Sequence, residues 1–344
     1  MSKKGYGGRL VRIIESIFSK SSAKVRWQGE LGASIDSTHG VLQGGIVSPK
    51  LFNLYLSDMC EYLDQTCGVK INSTTYTHLL YADDLVLISE SQDGMQTLLD
   101  NLEAYCRKWH LIINSQKSKV MIFHKNEQNI AFKNYNFSVG NKDLEVVNSY
   151  KYLGHVLCNS KNVHKAMYEH LAIQAQKAMY ALKENTKSTA GCLPPKLSMK
   201  MFDTHILPIL EYNSEIWFPE KQIDTLEKVQ MKFLKNILGV RCQTSTIAIL
   251  ADTGRFPLFV RQQVSALKFL NRLRSNTCPS LLQSCYEIQT ELYQKGKPCW
   301  LTRLCKVTET LNMNHNEFDI NKTIVSVYEH SFNLLDQSSP IVEL

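Results

Sequence analysis

The sequence predicts an α+β fold, with an antiparallel sheet and packed helices up to about residue 160 and mainly helical structure after it. Three observations carry this. β-prone runs separated by turn residues dominate the first part, "LLYADDLVLI" (79–88) being the clearest. Residues 162–185 then run without a glycine or proline, and "TAGCLPP" (189–195) ends them with helix breakers. Further helical spacing recurs at 195–206, 221–238 and 257–274.

In chain order, "RLVRIIESIFS" (9–19) puts Leu10, Ile13, Ile14 and Ile17 on one face of an amphipathic helix. "AKVRWQGELGASIDSTHG" (23–40) reads as an extended hairpin turning between Gly29 and Gly32. Ser48 is placed to cap the next helix and Pro49 sits where a first-turn proline is tolerated, so "LFNLYLSDMCEYL" (51–63), apolar nearly all round, should form one buried helix. Asn72–Tyr81 and Leu85–Ser89 read as two strands, with Asp83 and Asp84 breaking the run at a hairpin tip. Leu98, Leu102, Tyr105, Cys106 and Trp109 share one helical face, and that stripe is packing, not a site. A strand "KVMIF" (119–123), a polar stretch through Gly140 and a strand pair around "YKYLGHVL" (150–157) complete the α+β part. The last seventy residues are mixed and polar, with no pattern to read, and no internal repeat is present.

Composition narrows the class. The chain has 344 residues, 44% of them hydrophobic, enough for two or three domains with a core. No apolar run approaches the ~18 residues of a membrane span, and "MSKKGYGGRL" (1–10) lacks the apolar centre of a signal peptide, so an intracellular protein of nucleus or cytoplasm is expected. The ten cysteines show no C-x-x-C pair and no zinc spacing; reduced, mostly packed thiols are expected. Net charge is +7, with seven Lys/Arg among residues 1–30 and five bases but no acid from Arg107 to Lys125. Such patches suit a polyanion, and they equally serve solubility.

Two adjacent carboxylates on a rigid turn offer hard oxygen ligands to Mg²⁺. Two-metal nucleotidyl transfer uses such groups with ions ~3.5–4 Å apart and takes a third carboxylate from elsewhere. An exposed Asp pair that merely closes a hairpin is the commoner use of the same residues. The surroundings favour chemistry: "GVLQGGIVSPKLFNLYL" (40–56) sets Gln43 beside two glycines that let backbone approach a ligand, and "NSQKSK" (114–119) and "YKYLG" (150–154) follow. Gln43 could instead only shape a turn, Lys117 and Lys119 share one side of a strand as a solvated face, and Tyr152 and Leu153 read as well as core.

In order and spacing, these blocks together with "YADDLVLI" (81–88) and "NSQKSKVMIF" (114–123) resemble the later conserved blocks of the reverse transcriptase palm of non-LTR (LINE-like) retrotransposons. "ILPILEYNSEIWFPEKQIDTLEKVQMKFLKNILGV" (206–240) is similar to the region following the polymerase, and the resemblance spans about residues 1–260. It implies a partial fingers/palm at 1–160, a helical thumb-like region at 161–255 and a C-terminal helical extension at 256–344. It implies RNA-directed DNA polymerase chemistry with two Mg²⁺ ions, an RNA template, a DNA primer and deoxynucleoside triphosphates. By position, Asp83 and Asp84 match the metal-binding pair, with Asp83 the more direct ligand and Tyr81 beside the primer end. Gln43 and Gly44 match the template and nascent base-pair block, Lys117 a lysine that assists the departing pyrophosphate, and Tyr152, Leu153 and Gly154 the primer grip. The family's first metal-binding aspartate, in a phrase like F-x-D-F-x-x-A-F-D ahead of a segment like "GYGGRLVRIIESIFSKSSAKV" (5–25), has no counterpart here. Glu15, Glu30 and Asp36 lack its strand context. A truncated chain, inert alone, is expected; the alternatives are a non-catalytic nucleic-acid-binding remnant using the region after residue 160, or a structural or regulatory protein with a vestigial palm.

Overall fold

The structure, a computed structural model, describes residues 1, 4–19, 21–36, 40–124, 135–160, 163–187, 193–219, 223–275 and 277–309. They pack as two units: the described residues up to Ser118 with 135–145, and those of 119–124 and from 146 onward.

In the first unit the Leu10/Ile13/Ile17 spacing forms helix α1 (Gly8–Ser19), whose apolar stripe stays about half exposed. Strands β1 (Ser22–Trp27) and β2 (Glu30–Asp36) pair around a two-residue turn in which Gln28 and Gly29 both take positive φ. The single buried helix expected next is two short ones, α2 (Ser48–Tyr55) and α3 (Met59–Tyr62), and within α2 only Ser48 is buried. Ser48 is not the cap: Val47 holds that position without a side-chain bond, and the Ser48 hydroxyl donates back to the Leu42 carbonyl at 2.6 Å. The burial falls instead on Leu56, Met59 and Leu63.

A 3-10 turn (Gln65–Cys67), capped by the Asp64 carboxylate accepting from the Thr66 N–H, leads to β3 (Val69–Ile71) and β4 (Thr74–Tyr76). The strand expected from Asn72 thus starts later, because Asn72 takes a φ of 54° and turns the chain. Strands β5 (His78–Tyr81) and β6 (Asp84–Leu87) form the acidic hairpin. Helix α4 (Gln92–Lys108) starts at Ser91, whose hydroxyl accepts from the Gly94 N–H. It buries Leu98, Leu102, Tyr105 and Cys106, the stripe its spacing specifies, against Leu56, Met59 and Leu63.

Of the strand expected over 119–123, only β7 (Lys119–Val120) forms. The stretch read as merely polar contains a hairpin of β8 (Phe137–Val139) and β9 (Lys142–Val146), while residues 125–134 lie outside the described residues. The Gln96 amide binds both the N–H and the carbonyl of Ser138, so α4 carries β8 as a neighbouring strand would.

The second unit has β10 (Ser149–Tyr152) and β11 (His155–Cys158), then helices α5 (Lys165–Lys187), α6 (Pro195–His205), α7 (Leu207–Leu210), α8 (Ser214–Trp217) and α9 (Asp224–Leu238). It continues through α10 (Thr246–Thr253), α11 (Leu258–Arg274), α12 (Ser280–Gln294) and α13 (Trp300–Glu309). The four helices expected from spacing are α5, α6, α9 and α11; α12 and α13 stand where the sequence showed no pattern, and residues 310–344 lie outside the described residues. Met167, Leu171, Phe202, Trp217 and Leu234 centre one core, and Val264, Leu267, Leu301 and Leu304 a second.

Among the described cysteines none is in a disulfide, but only Cys106 and Cys305 are buried, fewer than expected. No described helix is long and apolar enough to cross a membrane.

Two polar groups bind the helices together. The Glu227 carboxylate accepts from the Leu258 N–H at 2.8 Å and from the Gln230 amide at 2.9 Å, so it caps α11 from inside the core. Burial pushes its carboxyl upward, opposed by those two hydrogen bonds. Arg303 lies over the Phe218 ring, donates to the Trp217 and Phe218 carbonyls, and lies 3.1 Å from His164 Nε2. Burial, then the charges of Arg303 and His155, depress the His164 imidazole to about 4.

Glu227→Ala should lower stability by about 1–3 kcal/mol, because the Leu258 N–H loses its acceptor inside the core. Glu227→Gln should lose less, as read from urea midpoints. His164 binds its proton more weakly folded than unfolded, so its contribution is full above about pH 6.5 and is lost as the pH falls toward about 4. The urea midpoint should therefore drop across that window, and His164→Gln should flatten the dependence.

Candidate active site

The acidic hairpin turns in two residues. Tyr81 pairs with Asp84, and Ala82 takes a φ of 53° to let the chain reverse, so Asp83 occupies the turn while Asp84 is the first residue of β6. Both carboxylates are exposed, and neither has a hydrogen bond or ion pair among the described residues. Tyr81 is exposed beside them. What fixes the tip is its base: Leu85 and Leu87 pack on the α4 core, and the Ile88 N–H donates to the carbonyl of buried Thr77 at 2.8 Å.

Gln43 and Gly44 form the corner of a tight turn. The Gly45 N–H donates to the Leu42 carbonyl, and Gly44 at φ 79° occupies the third position, as a type II turn requires. A Cβ on Gly45 would stand 2.6 Å from Ser48 Oγ and 3.2 Å from the Leu42 carbonyl, so a side chain there would displace the Ser48 hydroxyl from its bond to that carbonyl. Gln43 is exposed at the corner. The turn-forming use of Gln43 is therefore real, and it leaves the side-chain amide outward.

Lys117 does not lie on a strand with Lys119. It ends a turn in which its N–H reaches both the carbonyl and the side-chain oxygen of Asn114, at 3.1 and 3.2 Å. Three of the expected pieces nevertheless converge on one core. Phe52 of α2, Leu85 and Leu87 of β6, and Leu111 and Ile113 on the approach to Lys117 all pack against the buried face of α3 and α4.

Tyr152, Leu153 and Gly154 belong to the second unit. Leu153 and Gly154 take φ of 46° and 80°, an unusual conformation for a leucine, and Tyr152 pairs with His155 across them. Tyr212 holds this tip: its hydroxyl donates to the Leu153 carbonyl at 2.6 Å, and a Cβ on Gly154 would come within 3.1 Å of its ring. Leu153 is accordingly an exposed turn residue, not core. Tyr212 was not singled out from the sequence, since 59 residues separate it from Leu153 and nothing local marks the contact.

The donor chemistry fits Mg²⁺. Two unpaired aspartates supply hard, charged oxygens, and Mg²⁺ is commonly held by one or two carboxylates with water and phosphate oxygens completing its shell. Among the described residues no group of three His, Cys, Asp or Glu could hold a metal without such help.

Comparison with known proteins gives the same direction. Residues 7–157 match the reverse transcriptase (RNA-dependent DNA polymerase) family. A transposon-derived protein of Caenorhabditis elegans is 29% identical over 174 residues, covering 50% of this chain and 60% of the relative. The Pol polyprotein from the retrotransposable element R2 of Nasonia vitripennis is 28% identical over 150 residues, covering 42% and 14%. The RNA-directed DNA polymerase from the mobile element jockey of Drosophila melanogaster is 21% identical over 292 residues, covering 79% and 30%. The chain spans less than two thirds of the length of each relative. Residues 7–157 are thus similar to the reverse transcriptase domain, and to the polymerases of these retrotransposable elements.

Proposed function

We propose that this chain contributes part of the nucleotidyl-transfer site of an RNA-directed DNA polymerase and does not polymerise by itself. The observation that carries the reading is the Asp83–Asp84 tip, two exposed carboxylates without protein partners on a hairpin fixed by Leu85 and Leu87. Asp83 and Asp84 are the residues that would hold Mg²⁺, which when bound neutralises the triphosphate and the charge developing on the reacting oxygens. Gln43, at an outward turn corner, offers both a donor and an acceptor to a template base or nascent pair, and Gly44 lets backbone approach it. Lys117 supplies a cation for the departing pyrophosphate, and Tyr81 a ring beside the primer end. Tyr152, Leu153 and Gly154, clamped by Tyr212, would grip the primer.

Inactivity of the isolated chain follows from the donor count. In-line transfer between two ions needs more carboxylate than one adjacent pair, and Glu15, Glu30 and Asp36 form no three-ligand cluster with it among the described residues. In this reading residues 1–160 are the partial palm, 161–255 the thumb-like region and 256–344 its extension. The partners are an RNA template, a DNA primer and deoxynucleoside triphosphates.

Mn²⁺ added with a deoxynucleoside triphosphate should broaden the amide resonances of Tyr81 to Leu85 selectively, and Asp83→Asn with Asp84→Asn should abolish the effect. Uniform broadening, or broadening that survives the double variant, would contradict the metal assignment. Primer extension on an RNA template by the purified chain with Mg²⁺ should stay at background. Sustained incorporation would overturn the inactivity.

A further inference from the structure

We propose that a cleft in the second unit, far along the chain from the reverse transcriptase match, is a phosphate-binding site. The cleft, about 550 Å³, opens between α6, the end of α10 and α11. Four of the residues lining it are cationic: Lys196, Lys200, Arg255 and Arg261.

Their charges are unevenly met. Arg261 is paired with Glu211, and Arg255 with Asp203 at 2.7 Å. The ammonium groups of Lys196 and Lys200, one turn apart on the same face of α6, have neither an ion pair nor a hydrogen bond among the described residues. The cleft therefore presents more positive than negative charge, and the surplus is on flexible side chains able to close over an anion.

Arg255 adds direction. Its guanidinium stacks over the Phe202 ring at 5.0 Å, its side chain is only 13% exposed, and its Nε–H is buried without an acceptor. The turn that delivers it is a helix C-terminus at Gly254, φ 61°, with the Arg255 N–H donating to the Leu250 carbonyl. A rigid guanidinium with two point-charge ammonium groups suits a tetrahedral oxyanion with several acceptors. The ligand chemistry is a phosphate group, carried either by a nucleic-acid strand or by a free phosphate or mononucleotide.

The site is independent of the metal hairpin, so its test is run with EDTA. Fluorescence anisotropy of a labelled single-stranded DNA oligonucleotide, and competition by inorganic phosphate and by a mononucleotide, are measured against salt concentration. Lys196→Ala with Lys200→Ala should weaken oligonucleotide binding about tenfold and lower the log–log salt slope by about 1–2, since each phosphate contact releases a counterion. Asp203→Asn, which frees Arg255, should tighten binding and checks the site without relying on a loss. Competition by phosphate or mononucleotide at low millimolar concentration, with the same response to the variants, would assign the site to free phosphates; binding of the oligonucleotide alone would assign it to a strand. No binding by any probe, or affinity and slope unchanged by both variants, would overturn the proposal.

Discussion

The attachment of Leu85 and Leu87 to the face of α4 is the constraint on which the first unit depends. A two-stranded hairpin of four-residue strands is marginal in water by itself. Packed on Leu98, Leu102 and Tyr105 it becomes a rigid bracket, and its tip can hold two like charges side by side. The same buried face receives Phe52 below the glycine turn and Leu111 and Ile113 ahead of Lys117. The residues proposed to carry chemistry, distant in sequence, are thereby tied to a single apolar surface, while Gln43, Asp83, Asp84 and Lys117 themselves stay exposed.

The second unit uses polar groups for the equivalent task. Glu227 caps α11 from within, Arg303 binds α13 to the carbonyls ending α8, and Tyr212 clamps the Leu153–Gly154 tip. Each joins elements dozens of residues apart through a side chain whose partner is backbone. Backbone partners leave no trace in residue type, so such contacts are hidden from a reading of the sequence.

That explains what could and could not be read. Helix α4 was legible because five apolar positions repeat at helical spacing, and the acidic hairpin because two aspartates interrupt a β-prone run. Ser48 misled: its residue type signals a cap, but the Gly44–Gly45 turn places the Leu42 carbonyl where it takes the hydroxyl. The β8–β9 hairpin was hidden because its three buried residues, Phe137, Val139 and Leu144, are scattered among polar ones, and the Gln96 amide that binds Ser138 lies 42 residues away. Helices α12 and α13 were missed because the sequence around them is mixed and polar. Leu153 read equally well as core and is an exposed turn residue, its positive φ and the Tyr212 hydroxyl on its carbonyl having no mark in the local sequence. The role proposed for Asp83 and Asp84 came from a resemblance to a known pattern, whereas the cleft at Lys196 and Arg255 needed the fold to bring α6 and α10 together.

The most direct test of the central claim is anomalous diffraction from crystals of the chain grown with Mn²⁺ and a non-hydrolysable deoxynucleoside triphosphate. The account expects a strong peak beside the Asp83 and Asp84 carboxylates, the residues that would hold the ion. A peak elsewhere, with those two side chains still solvated, would contradict it.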